Sequence, residues 1–172
     1  MINVESLRGM IAEELKAWDQ PSISVGIVKD GKVELAEGFG YANMDKQVKP
    51  DPDTLYQIGS CSKAFTAAAV AILVDRGILE WDKPVVGYMP WLRFKEPFTT
   101  ANVTVRDLLC HRTGLPRHDA YWIDGPCTRK EMVENLRNMQ PGWSFRSHWC
   151  YQNTCLVAAG MLVEEMTGKT WE

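Results

Sequence analysis

The chain has no long apolar run. The longest, around Ala67 to Val74, falls well short of the ~20 residues that a membrane-spanning helix needs. Its opening, Met1-Ile2-Asn3-Val4-Glu5, lacks the basic and apolar segments of a secretory leader, so a soluble, cytoplasmic chain with no membrane partner is expected. No polybasic run exists and the net charge is −3, which argues against nucleic acid as a partner. Metal-ligand spacings are missing too, since neither C-x-x-C nor H-E-x-x-H occurs. What remains is a loose set: Cys110, His111, His118, Cys127, His148, Cys150 and Cys155. Within it, His148 and Cys150 flank a tryptophan and fit one face of an extended segment. No metal and no cofactor is expected. The five cysteines, Cys61 with Cys110, Cys127, Cys150 and Cys155, are an odd number without the spacing of a disulfide framework. They are expected to be free thiols that pack as small buried hydrophobes.

The apolar fraction of 45% and charged fraction of 24% are those of a globular chain with a sizeable core. Val4, Leu7, Ile11, Leu15 and Trp18 recur at three-and-four spacing and predict a helix up to Trp18. Pro21 ends it, because the residue before a proline is pushed out of the helical region. Ser22–Lys29 and Lys32–Gly40 read as strands, and the intervening Asp30-Gly31 is a strong hairpin signal. Leu55–Ile58 reads as a short strand leading to Ser60. An apolar helix follows and stops at Gly77, a residue suited to the position just past a helix. Thr104-Val105-Arg106-Asp107 and Thr128-Arg129-Lys130-Glu131 each have the pattern of a capping box. The first opens a helix to Cys110, the second a helix to about Met139. Asn153 opens a last helix, which ends at Gly168. A helix and a hairpin come first, then only helices and loops. The pattern is that of the opening of an α/β domain with a helical region inserted.

Two segments carry residues fit for chemistry. In Ser60-Cys61-Ser62-Lys63 the serine and lysine stand one helical turn apart on the same face, so the amine can reach the hydroxyl. A serine hydroxyl needs such a neighbour to act as a nucleophile, and a helix N-terminus offers donors to a developing oxyanion. The plain alternative is that Ser60 caps the helix. In Tyr151-Gln152-Asn153 the tyrosine, beside a positive charge, can take up and return a proton. The Asn153 amide can orient Lys63 and hold a substrate carbonyl. Here the plain alternative is a half-buried aromatic followed by an asparagine cap. His111 reads as a structural histidine at a helix end, where the dipole favours its charge. Trp91, Trp122, Trp143 and Trp149 fit either a pocket wall or the core.

Taken together, these segments resemble the penicillin-recognising serine hydrolases, in their class C β-lactamase-like branch. That branch includes β-lactamases, D-alanyl-D-alanine carboxypeptidases, D-aminopeptidases and esterases. Tyr56-Gln57-Ile58-Gly59-Ser60-Cys61-Ser62-Lys63-Ala64-Phe65-Thr66-Ala67 resembles the nucleophile segment. Gly77-Ile78-Leu79-Glu80-Trp81-Asp82-Lys83-Pro84-Val85 resembles the turn after the nucleophile helix. Leu108-Leu109-Cys110-His111-Arg112-Thr113-Gly114-Leu115-Pro116 resembles the "LLSHTSGLP" stretch, and Pro141-Gly142 with Tyr151-Gln152-Asn153 the "PG…Y-x-N" element. The resemblance implies an α/β (α+β two-layer) fold of the β-lactamase/transpeptidase type. Residues 1–59 would be the start of the α/β part and 60–172 a mostly helical part. It also implies Ser60 as the acylated nucleophile, Lys63 as its activating partner and Tyr151 as the base and acid. Asn153 would bind Lys63 and the substrate, and the Ser60 N–H would form half of an oxyanion hole.

The family's third motif, K-T-G or H-x-G on a later strand, has no counterpart. Gly168-Lys169-Thr170 has similar letters in the wrong order, at a helix end. Nor is it a P-loop, since Val163 stands where that motif needs its first glycine. The resemblance therefore implies a partial domain over 1–172, lacking the C-terminal strands and helix. The expected activity is acyl transfer on a β-lactam, a D-amino-acid peptide or a small ester, without a metal. Two other readings stand beside it. One is an inactive fragment or interaction module that self-associates through unpaired sheet edges; the other is a Cys/His metal module.

Overall fold

The computed structural model describes residues 3–123 and 127–172, without the side chains of Ala120 and Trp122. The chain divides into two compact units, one running to Gln57 and the other spanning Ile58–Glu172.

In the first unit, helix α1 covers Val4–Ala17, and the Asn3 side chain caps it by accepting from the Ser6 N–H at 3.0 Å. Its apolar stripe buries Ile11, as the three-and-four spacing requires. Strands β1 (Ser22–Lys29) and β2 (Lys32–Gly40) pair antiparallel, from Ser22 opposite Gly40 to Lys29 opposite Lys32. Asp30 and Gly31 have φ of 50° and 74°. Two positive φ values in a two-residue loop match the right-handed twist of the strands, which is why Asp-Gly is favoured there. The register shifts by a bulge between Ile27 and Val28. Leu55–Ile58 is not a strand, and Leu55 is 95% exposed. Its residues have strand propensity, but among the described residues no neighbouring strand gives them a ladder.

In the second unit, a short 3-10 turn, Gly59–Cys61, runs into helix α2 (Ser62–Asp75), which is closed by Gly77 at φ 69°. A 3-10 turn at Val85–Gly87 precedes α3 (Pro97–Asn102) and α4 (Val105–Leu109). Then come α5 (Ala120–Ile123), α6 (Arg129–Glu134) continued by a 3-10 turn, and α7 (Asn153–Thr167). Both capping boxes are present, each with reciprocal side-chain and backbone bonds. The second helix is shorter than its sequence suggests, tightening to 3-10 at Asn135. Helix α7 is central and packs on α2, α4 and α6. Val70, Leu73, Val105, Leu108, Val133, Ala158 and Leu162 form the core between them.

The cysteines depart from expectation. Only Cys155 is buried, and burial pushes its thiol up to about 12; Cys61 and Cys110 are exposed, and Cys127 and Cys150 half-buried. Cys61 and Cys110 lie at helix ends, where the chain faces outward. Among the described residues, no helix is long and apolar enough to cross a membrane.

Candidate active site

Ser60 lies in the 3-10 turn ahead of α2, and its hydroxyl does not cap the helix. The capping position belongs to Cys61, which makes no side-chain cap bond. The Ser60 hydroxyl is committed elsewhere: Lys63 Nζ donates to its Oγ at 2.9 Å, and Tyr151 Oη lies 2.5 Å away. One turn of helix sets the serine–lysine pair. The serine–tyrosine pair requires the far end of the unit to fold back.

A buried carboxylate organises that return. Asp107, in the first turn of α4, is fully buried and accepts from Arg146 at 2.6 Å and from Arg112 at 2.5 Å. It also accepts from the Thr104 N–H and hydroxyl, both at 2.9 Å. Burial alone would raise its pKa, but Arg146, Thr104 and Arg112 outweigh this and hold it at about 2. Arg112 and Arg146 belong to the two loops on either side of the site, so the carboxylate clamps both. Backbone bonds then zip these loops together. Gly142 and Trp143 N–H donate to Gly114 O, Arg146 N–H to Arg112 O, and Cys150 N–H to His111 O. Gly114, at φ 88°, is backed by Trp143 O, which leaves no room for a Cβ.

Gln152, the central residue of the Tyr151–Asn153 segment, is the true cap of α7. It is wholly buried, and its side-chain oxygen accepts from the Thr154 N–H at 2.8 Å. Its amide donates to Pro116 O at 2.7 Å, and its own N–H donates to His111 Nδ1 at 3.1 Å. Tyr151 is thereby held from the adjacent residue.

His111 departs from its expected charged state. Burial and then the charge of Lys63 lower its pKa, and its Nδ1 is used as an acceptor, so it is neutral. Its ring lies 4.7 Å from that of Tyr151 and meets Trp149 edge-on at 5.8 Å. The phenol of Tyr151 is depressed by Lys63 first, by Ser60 next, and by the charge of Arg117, against the opposing effect of burial.

Asn153 stands at the first turn of α7 beside these groups. Its amide donates to Asp119 Oδ1 at 3.3 Å; a bond to Lys63 is not among those of the described residues. Asp119 also pairs with Arg117 at 2.6 Å. Ser60, Tyr151, Asn153, Arg117, Asp119 and Trp149 line an open cleft of about 630 Å³. Arg117 and Asp119 had no sequence signal beyond being charged residues just after Gly114-Leu115-Pro116. Of the tryptophans, Trp149 faces the cleft, Trp143 stacks on His148 at 4.2 Å, and Trp91 packs against the core. The side chain of Trp122 lies outside the described residues. His148 and Cys150 are not part of a metal cluster: no three His, Cys, Asp or Glu side chains converge among the described residues.

The family model described as Beta-lactamase matches residues 7–172. Unguisins hydrolase ungD' of Aspergillus campestris is 34% identical over 169 residues, covering 93% of this chain and 31% of that protein. The octameric penicillin-binding protein homologue from Pyrococcus abyssi superposes with a TM-score of 0.87 at 32% identity, over 99% of this chain and 41% of that one. D-amino acid amidase from Ochrobactrum anthropi SV3, complexed with D-phenylalanine, gives a TM-score of 0.77 at 30% identity, over 94% of this chain and 45% of that one. The chain thus spans about a third of the length of the curated relatives it matches. The matched structures have the β-lactamase/transpeptidase-like fold, here represented by the hairpin and the helical unit.

Proposed function

The chain belongs to the β-lactamase family, and on that premise we propose that it carries the nucleophile half of a serine hydrolase acting by acyl transfer on an amide or ester. The observation that supports this best is the contact of Ser60 Oγ with both Lys63 Nζ and Tyr151 Oη. Lys63 is the donor in its bond, so the serine proton is free to pass to Tyr151. In the proposed reaction Ser60 Oγ bonds to the substrate carbonyl carbon as its proton moves to the Tyr151 phenolate. The carbonyl C–N or C–O bond then breaks, and Tyr151 returns the proton to the departing nitrogen or oxygen. Water attacks the acyl-Ser60 ester in the second half, with Tyr151 again taking the proton; the carbonyl C–Oγ bond then breaks and Tyr151 returns the proton to Ser60 Oγ. Lys63 contributes positive charge that stabilises the phenolate, a role that needs no metal or cofactor. The Ser60 N–H, among the first of its turn, has no partner within the helix and suits a carbonyl oxygen acquiring charge. Asn153, on the cleft wall, is the proposed substrate-amide contact. A β-lactam, a D-amino-acid amide or peptide, and a small ester all present the required carbonyl.

A second reading is a catalytically incomplete interaction module that retains the first half of the fold. Intact-mass spectrometry after incubation with a penicillin, and separately with an activated ester, distinguishes the two. A one-to-one adduct mapped to Ser60 and absent in Ser60→Ala supports the enzymatic reading. An adduct that persists in Ser60→Ala sinks it, and no adduct at all favours the incomplete module.

A further inference from the structure

The loop between Gly114 and α5 brings two charged residues to the cleft that the proposed chemistry does not use. Arg117 Nε donates to Asp119 Oδ2 at 2.6 Å, and its guanidinium carbon lies 5.0 Å from the centre of the Tyr151 ring. Asp119 is the better buried of the two, with 23% of its side chain exposed against 56% for Arg117. It also accepts from the Asn153 amide at 3.3 Å. One ion pair therefore touches both ends of the Tyr151–Asn153 segment.

We propose that Arg117, anchored by Asp119, is a positioning residue for Tyr151: it braces the ring against Ser60 and places a fixed positive charge beside the phenol. This inference rests on the reading of Tyr151 as the proton acceptor. A guanidinium is suited to the task because it stays charged at any working pH and its flat face stacks on an aromatic ring. An isolated exposed arginine would sample many rotamers; the Asp119 contact restricts it to the one that covers Tyr151. Asp119 has a second consequence, since by holding Asn153 it fixes where that amide meets the cleft.

Among the described residues, the charged and titratable groups in contact with the Tyr151 ring are Lys63 from α2, His111 from the loop after α4 and Arg117 from the loop before α5, with Ser60 hydrogen-bonded to its oxygen. His111 is neutral, so Lys63 and Arg117 are the two positive charges. Removing Arg117 leaves Lys63 alone to hold the phenolate.

The test is the titration of Tyr151 itself, read from the ring-carbon shift of the chain labelled with [13Cζ]tyrosine and assigned by loss of the signal in Tyr151→Phe. In Arg117→Met the Tyr151 midpoint is expected to move up. In Arg117→Lys, which keeps the charge, it should move less. An unshifted midpoint in Arg117→Met overturns the proposal, as does a lysine variant that behaves like the methionine one. Loss of the folded spectrum in Arg117→Met would make Arg117 a structural residue and overturn it equally. The measurement needs no turnover. It is therefore separable from adduct formation on Ser60, which tests the enzymatic reading.

Discussion

Tyr151 and His111 pack ring against ring, tilted by 31°, and have opposite electrostatic requirements. Tyr151 is useful as a phenolate, and Lys63, Ser60 and Arg117 shift it toward that form. Acylation of Ser60 should therefore rise with pH and level off below the ordinary tyrosine value of ~10. Adduct formation by rapid-quench mass spectrometry across the pH range gives this profile, and Tyr151→Phe should slow it by roughly 10²–10⁴-fold. His111 must stay neutral to accept from Gln152. Its folded pKa lies below the ordinary histidine value of ~6.5, so its contribution to stability is complete above that value. As pH falls below it, the unfolded chain binds the proton first and stability declines. Chemical denaturation at a series of pH values should show this decline, and His111→Gln should abolish that part of it.

Among the elements, α4 is short, yet it organises both site loops through Asp107. Removing one partner of a buried ion pair typically costs about 3–5 kcal/mol, because the remaining charge is left uncompensated. Asp107→Ala leaves behind Arg112 and Arg146, which are half-exposed and can rehydrate, so it should lower the urea midpoint by a cost smaller than that figure. The Tyr151 environment should loosen in parallel. The Asp107 contribution is complete above the ordinary aspartate value of ~3.9 and disappears as pH falls through the folded value of about 2. At the same end of α4, Thr104→Ala should cost about 1 kcal/mol or more, since Thr104 both caps the helix and donates to Asp107.

The same elements show what the sequence makes legible. Caps, the Asp-Gly turn and three-and-four spacing are local signals, and α1, the hairpin, both capping boxes and α7 follow from them. The Ser60–Lys63 pair is legible because one helical turn fixes it. Helix α3 is not, since Pro97-Phe98-Thr99-Thr100-Ala101-Asn102 has no long apolar period. It depends on the Thr100 hydroxyl, which donates to Phe94 O at 3.0 Å. The contacts of Arg117, Asp119 and His111 with Tyr151–Asn153 are also invisible in the sequence. They arise only when two loops, each irregular, are drawn together by Asp107. For the same reason Gln152 escapes notice as a cap, since a glutamine is an uncommon residue in that role.

For the molecule as a whole, the balance between buried and exposed apolar surface carries a consequence. Helix α2 buries Thr66, Val70 and Leu73 on one side, yet Phe65 is 62% exposed and Ile72 50% exposed. Seven residues apart, these two lie on one helical face with Ala68 between them, a stripe wide enough to be sticky. The hairpin likewise exposes Val28 at 67% and Val33 at 68%, and among the described residues it is a sheet of only two strands. Two-stranded sheets leave backbone N–H and C=O groups unpaired along both edges, which recruit further strands. The chain should therefore associate as its concentration rises, and the two surfaces can be separated by mutation. In sedimentation velocity, Phe65→Gln with Ile72→Gln should weaken association if the α2 stripe drives it. Replacing Val28 and Val33 with lysine should weaken it if the hairpin does. A chain that stays monomeric at every concentration, with both surfaces intact, would contradict the expectation. Neither pair is among the proposed site residues, so any adduct on Ser60 should form at the same rate in the dispersed variants. That last comparison separates self-association from the chemistry of the site.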